Sequence, residues 1–221
     1  MSAELAGAAE VERRAALLLQ LRRAGVRDVA IMRAIERAPR GVFAPHRFRD
    51  LADRDMSLPI DCGQSMPSAA DLGRRIEALR VAPQQRVLEV GSGSGYAAAV
   101  LAQLAREVVS LERFASLAAE ASARLESAGV ANARVLHADG LAPPDQLGAF
   151  DRIILHVALR ETPERLVERL APGGVLLFGR TAPGKTRSIR VERTAEGEGY
   201  KETDLGPCRL PLAASGLAAR L

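Results

Sequence analysis

Tryptophan is absent from this 221-residue sequence, and tyrosine and phenylalanine together account for only 3% of it. So thin an aromatic content leaves few platforms on which unpaired bases could stack. Lysine is scarce too: Lys185 and Lys201 are the only lysines among 31 basic residues. The arginines are interspersed with 27 acids, for a net charge of +4. That pattern describes solvated faces rather than a basic stripe, and no nucleic-acid partner is expected. Cysteine occurs only as Cys62 and Cys208, with no Cys-x-x-Cys pair and no histidine at zinc-ligand spacing. Two free thiols in a reducing compartment are the expectation. His46, His137 and His156 are scattered along the chain, so no metal site is expected. No apolar run reaches membrane-spanning length. The first residues carry Glu4, Glu10 and Glu12 without an apolar core, unlike a secretory leader. Together these absences predict a cytoplasmic protein with no membrane partner.

Hydrophobic residues make up 48% of the chain, enough for a large core and too many for general disorder. The most informative stretch is Arg86-Val87-Leu88-Glu89-Val90-Gly91-Ser92-Gly93-Ser94-Gly95-Tyr96, followed by Ala97-Ala98-Ala99-Val100-Leu101-Ala102. A strand, a glycine turn and a helix in succession let backbone N–H groups approach a ligand unobstructed. A dinucleotide fingerprint would need glycines at 91, 93 and 96. Here the third glycine is Gly95 and Tyr96 fills the next place. Gly-x-Gly-x-Gly after a strand ending in Glu89 resembles the first motif of S-adenosylmethionine-dependent methyltransferases. A glycine turn that merely packs helix on strand is the alternative.

Helical periodicity covers 9–24 and 29–37, the second helix stopping before Pro39. Residues 41–66 read as an extended segment, after which Asp71 is expected to cap a helix through Leu79. From Arg86 strands and helices alternate. Strands are expected near 86–90, 108–111, 133–136, 150–155 and 174–179, and helices near 96–105, 114–128 and 162–170. Pro183-Gly184 is a turn, and 188–193 and 205–210 are late strands joined by turn-rich 195–200. The expected fold is α/β: a doubly wound, mostly parallel Rossmann-like sheet with an antiparallel C-terminal addition and a helical N-terminal segment. Residues 1–84 are expected to pack on the core and carry a covering loop, and 85–221 to form the cofactor-binding core.

Ligands of such sheets sit beyond the carboxyl ends of the strands. Glu112 follows the second strand at an offset from Gly91 that suits a carboxylate accepting from ribose hydroxyls; a surface acid beside Arg113 is the alternative. After the third strand, Asp139 is placed to accept from an adenine amino group or simply to cap a turn, and Gly140 admits close backbone approach. The Asn/Asp-Pro-Pro-aromatic motif of base-amine methylation is missing after the fourth strand, where His156-Val157-Ala158 stands.

Over nearly its whole length the chain resembles the protein-L-isoaspartate O-methyltransferase family. The likeness runs through Leu21-Arg22-Arg23-Ala24-Gly25-Val26-Arg27-Asp28, then Arg37-Ala38-Pro39-Arg40-Gly41-Val42-Phe43-Ala44-Pro45 and Leu58-Pro59-Ile60-Asp61-Cys62-Gly63-Gln64-Ser65. It continues in the glycine motif, Leu111-Glu112-Arg113, Ala138-Asp139-Gly140, Leu170-Ala171-Pro172-Gly173-Gly174 and a last strand at Cys208-Arg209-Leu210-Pro211-Leu212. The resemblance implies S-adenosyl-L-methionine held by Gln64, Ser65, Glu89, Gly91, Ser92, Gly93, Gly95, Glu112, Arg113, Asp139, Gly140 and His156. It also implies isoaspartyl proteins or peptides as substrate, with Ser65 and Ser68 as catalytic residues. The family pattern Gly-Gln-Thr-Ile-Ser-x-Pro reads Gly63-Gln64-Ser65-Met66-Pro67-Ser68-Ala69 here, so Pro67 occupies the family's serine position. His156-Val157-Ala158 likewise replaces a small Thr/Gly-Ala-Ala stretch. Both departures fall on the expected substrate side. Methylation of another peptide or small-molecule carboxylate, and cofactor binding without catalysis, therefore stand as alternatives.

Overall fold

The computed structural model describes residues 2–218, with side chains from residue 11 onward. Glu4 and Glu10 therefore lie outside the described side chains. Helix α1 (Ser2–Arg23) leads to α2 (Val29–Arg37), whose N-cap Asp28 accepts from the Ala30 and Ile31 amides. A short helix α3 (Arg40–Phe43) and a 3-10 turn (His46–Leu51) follow. Strands β1 (Leu58–Pro59) and β2 (Ser65–Met66) pair as a small antiparallel hairpin ahead of α4 (Ala69–Leu79). The main sheet comprises β3 (Arg86–Val90), β4 (Glu107–Glu112), β5 (Ala133–His137), β6 (Phe150–Leu159), β7 (Leu170–Ala182), β8 (Lys185–Arg193) and β9 (Tyr200–Pro207). Helices α5 (Tyr96–Ala102), α6 (Ala115–Ser127) and α7 (Glu164–Val167) connect them.

The seven strands lie in the order β5-β4-β3-β6-β7-β8-β9. The first five are parallel, and β8 and β9 continue the sheet from β7 as an antiparallel meander. The chain leaves β3 toward one edge and returns to its other side at β6, so the order reverses at β3. Both faces are covered, which is why β3 is buried from Val87 to Val90 without alternating with solvent. Val87, Val108 and Ile154 pack with the N-terminal helices and α5, whereas Leu88, Val109 and Ile153 form a second cluster on the opposite face. The period of two puts Glu89, Ser110 and His156 on the first face, under α4.

The expected fold class is the observed one, and the corrections are local. The 41–66 segment contains α3 and the 3-10 turn, each entered from a proline, Pro39 and Pro45, at its N-cap position. Such short turns leave no readable periodicity. Ser68 rather than Asp71 caps α4, accepting from the Asp71 amide at 3.2 Å. The helix expected over 162–170 is limited to α7, because Leu170 pairs with Phe150 and enters β7. The last strand ends at Pro207; Cys208 to Leu212 lie beyond it, where Leu212 bridges Ala158 beside a register break in β6.

Candidate active site

Beyond the carboxyl ends of β3, β4 and β6 opens a cleft lined by Gly91, Gly93, Glu112, Asp139 and Gly140 among others. The turn after β3 holds three glycines in the left-handed region, with φ of 92° at Gly91, 53° at Gly93 and 86° at Gly95. Gly91 and Gly93 face the cleft; Gly95 N-caps α5, where an added Cβ would meet the Ala121 backbone at 3.2 Å. Gly140 is pressed against β3 so closely that a Cβ would lie 2.3 Å from Val90 Cγ1.

Glu112 is 4% exposed and already bound by backbone donors: Gly93 N to Oε2 at 2.9 Å and Phe114 N to Oε1 at 3.1 Å. It ties the end of β4 to the glycine turn while lining the cleft. Asp139 accepts from Leu141 N at 2.9 Å and, through its other oxygen, from Gly216 N at 2.7 Å. The turn-capping alternative thus holds for Asp139 while it also lines the cleft. Arg113 lines the cleft and donates from Nε to the Gly216 carbonyl at 2.9 Å.

The opposite wall is the hairpin. Cys62 and Gly63, at φ of 57° and 63°, make its tight turn, and Gln64 folds its amide back onto the Cys62 carbonyl at 2.9 Å. Ile60 packs onto the glycine turn, since a Cβ on Gly93 would sit 3.2 Å from Ile60 Cδ1. Gln64, Ser65 and Pro67 line the cleft from this side. Buried Arg40 anchors the segment by donating to the carbonyls of Ala52, Arg54, Met56 and Pro67 at 2.7–3.1 Å. Residues Arg209 to Ala214 form a further wall, held where Ala158 N donates to Pro211 O at 2.7 Å.

Four expected site residues stand behind the cleft instead of in it. Ser68, expected to be catalytic, is 8% exposed and occupied as the α4 cap. Glu89 is fully buried, with Oε1 3.0 Å from His156 Nε2 and Oε2 accepting from Ser110 at 2.5 Å. Ser92 bonds to Ser110, and Gly95 packs against α6. Ser68 is thus held by α4, and the other three residues are engaged within or behind the glycine turn. His156 does line the cleft; burial, and secondarily the Arg75 charge, push its pKa down, against the opposing pull of Glu89. Arg75 and the tail were missed in the sequence. Arg75 had a readable signal, a charge inside the apolar stripe Leu72, Ile76 and Leu79 of α4.

The chain is similar to a known group of proteins over most of its length. Residues 12–212 fit the family model for Protein-L-isoaspartate(D-aspartate) O-methyltransferase. A protein-L-isoaspartate O-methyltransferase of Azorhizobium caulinodans is 39% identical over 213 residues, covering 96% of this chain and 98% of the relative. One from Rhodopseudomonas palustris is 43% identical over 205 residues, covering 92% and 93%. Among solved structures, a Plasmodium falciparum protein described as such an enzyme in complex with S-adenosyl-L-homocysteine superposes with a TM-score of 0.77, covering 90% of this chain and 97% of its own. A second protein-L-isoaspartate O-methyltransferase gives 0.82, covering 92% and 67%. Both are 22% identical to this chain and speak to the fold. On the family match and the relatives near 40% identity, this chain belongs to the protein-L-isoaspartate(D-aspartate) O-methyltransferase family.

Proposed function

We propose that this protein transfers a methyl group from S-adenosylmethionine to the free α-carboxylate of L-isoaspartyl residues in proteins or peptides, as a step in protein repair. The observation that carries the reading is one cleft with two unlike walls. Gly91, Gly93, Glu112, Asp139 and Gly140 form a cradle without obstructing side chains, and Ser65 and Pro67 face it from the hairpin. The cradle fits a nucleoside cofactor: two glycines at positive φ let a ligand approach the backbone with no Cβ in the way, and two carboxylates offer acceptors. In our reading Glu112 accepts from the ribose and Asp139 from the adenine, while Gln64, Ser65, Arg113 and His156 complete the enclosure. Residues 1–84 serve as the covering segment and 85–221 as the cofactor-binding core. Two free, half-buried thiols support a cytoplasmic location.

S-adenosylmethionine, when bound, supplies a methyl group on a sulfonium centre. The protein's own residues then have a positioning task. A carboxyl with a pKa of about 4 is ionised at neutral pH, so no general base is required. The Ser65 hydroxyl orients one carboxylate oxygen, and the hairpin and tail exclude water. A tighter grip would slow the step, because the carboxylate loses charge as it is methylated. Pro67 offers neither hydroxyl nor amide, so Ser65 bears this role alone on its strand. A methyl-transfer assay on a matched peptide pair tests the proposal: turnover is expected on the isoaspartyl peptide and not on its aspartyl twin. Equal turnover on both, or none on either with intact cofactor binding, would overturn it.

A further inference from the structure

From Arg75 and His156 in the cleft wall a polar chain runs inward that methyl transfer to a carboxylate does not itself require. Arg75, 7% exposed, donates from Nη2 to the Leu155 carbonyl at 2.6 Å, and its Nη1 stands 2.7 Å from His156 Nδ1. A guanidinium has no acceptor. Nδ1 is therefore the unprotonated nitrogen, and the ring is the Nε2–H tautomer. Nε2 lies 3.0 Å from Glu89 Oε1 and donates to it. Ser110 donates to the other oxygen of Glu89 at 2.5 Å. The Ser110 oxygen is then left to accept from the Ser92 hydroxyl, also at 2.5 Å. Every proton in this chain points toward one fully buried carboxylate, and the direction is set at one end by a group that can only donate.

We infer that Arg75 is a positioning residue which, acting through His156, orders the Glu89–Ser110–Ser92 chain and so holds the glycine turn ready for the cofactor. Ser92 sits between Gly91 and Gly93, and its hydroxyl ties a turn poor in side chains to β4. Arg75 also satisfies the Leu155 carbonyl beside the register break between Ile154 and Ala158. One helix of the N-terminal segment thereby fixes both the imidazole and the strand end that carries it. The inference rests on the cofactor reading above.

The groups around His156 define what Arg75 prevents. Arg75 and Asp71 face it from α4 and Glu89 from β3, while Glu112 and Arg209 line the same cleft from β4 and the tail. With Arg75 removed, Nδ1 is free to take a proton in the company of Glu89 and Asp71.

Two measurements on the full chain test this. Imidazole 15N NMR of the ligand-free protein should show His156 with Nδ1 bare and Nε2 protonated throughout about pH 5.5 to 8, a window in which an ordinary histidine titrates. Calorimetry with S-adenosylhomocysteine should show R75M binding about tenfold more weakly, the scale of one charge-assisted hydrogen bond. Its affinity should also acquire a pH step that the double variant R75M/H156Q, with no titratable ring, lacks. A cationic or Nδ1–H ring in the wild-type protein overturns the inference even if R75M fails to fold. So does an R75M protein with unchanged affinity and no pH step. A wild-type protein with the expected tautomer but no affinity for S-adenosylhomocysteine would instead sink the cofactor reading.

Discussion

Replacing Glu112 by alanine separates the structural from the binding role of the acid at the end of β4. The carboxylate holds the Gly93 and Phe114 amides at 2.9 and 3.1 Å, and it is 4% exposed. Its loss strands one buried donor at the start of α6 and one partly buried donor in the glycine turn. Leaving a buried donor unpaired costs roughly 1–3 kcal/mol, which urea denaturation would register as a lower midpoint. In the bound state a second loss adds to this. Two ribose hydroxyls would each forfeit a hydrogen bond to a charged acceptor, which, after ordering costs, amounts to about 2–4 kcal/mol of affinity. That corresponds to a dissociation constant for S-adenosylhomocysteine raised about 30- to 1000-fold by calorimetry. If E112A is destabilised yet binds within about threefold of the parent, below roughly 0.7 kcal/mol, Glu112 only ties the turn and the ribose contact lies elsewhere.

The serines of the altered loop should part company: S68A loses the α4 cap and about 1 kcal/mol of stability with turnover kept, whereas S65A keeps its stability and loses about tenfold in turnover. The reverse pattern in denaturation and methyl-transfer assays would return catalysis to Ser68. G140A should be destabilised by about 1–3 kcal/mol and bind cofactor poorly, because its Cβ would collide with Val90 Cγ1; a variant as stable as the parent would show that this contact relaxes freely. Glu107 is held below the usual carboxylate range, chiefly by its hydrogen bond from Arg86 at 2.7 Å and against the effect of partial burial. A depressed native pKa stabilises above the unfolded value and is lost as pH falls, so E107Q should narrow the stability gap between about pH 7 and pH 3; an unchanged gap would refute it.

What the amino-acid sequence determined by itself was local and periodic. The β3–turn–α5 unit was readable because its apolar run, its glycines and its alanine helix are contiguous, and Arg86–Val90 falls where the pattern puts it. The parallel sheet followed from strand–helix alternation, and Glu112 and Asp139 followed from the rule that ligands gather at strand ends. Tertiary structure decided whatever depends on which side chain meets which across distance. Ser68 and Ser65 are equivalent on paper, yet one is consumed by a helix cap and the other faces the cleft. Glu89 looks like a ligand because it stands two residues before the first glycine of the turn, but the two-residue period turns it under α4, where His156 and Ser110 occupy it. The five residues 162–163 and 168–170 illustrate the same competition: the helix expected there is cut to α7, and Leu170 pairs with Phe150 instead. Arg75 and His156 lie 81 residues apart and meet only because α4 crosses the end of β6. A buried hydrogen-bond chain has no period and no fixed spacing, so only the packed structure can specify it.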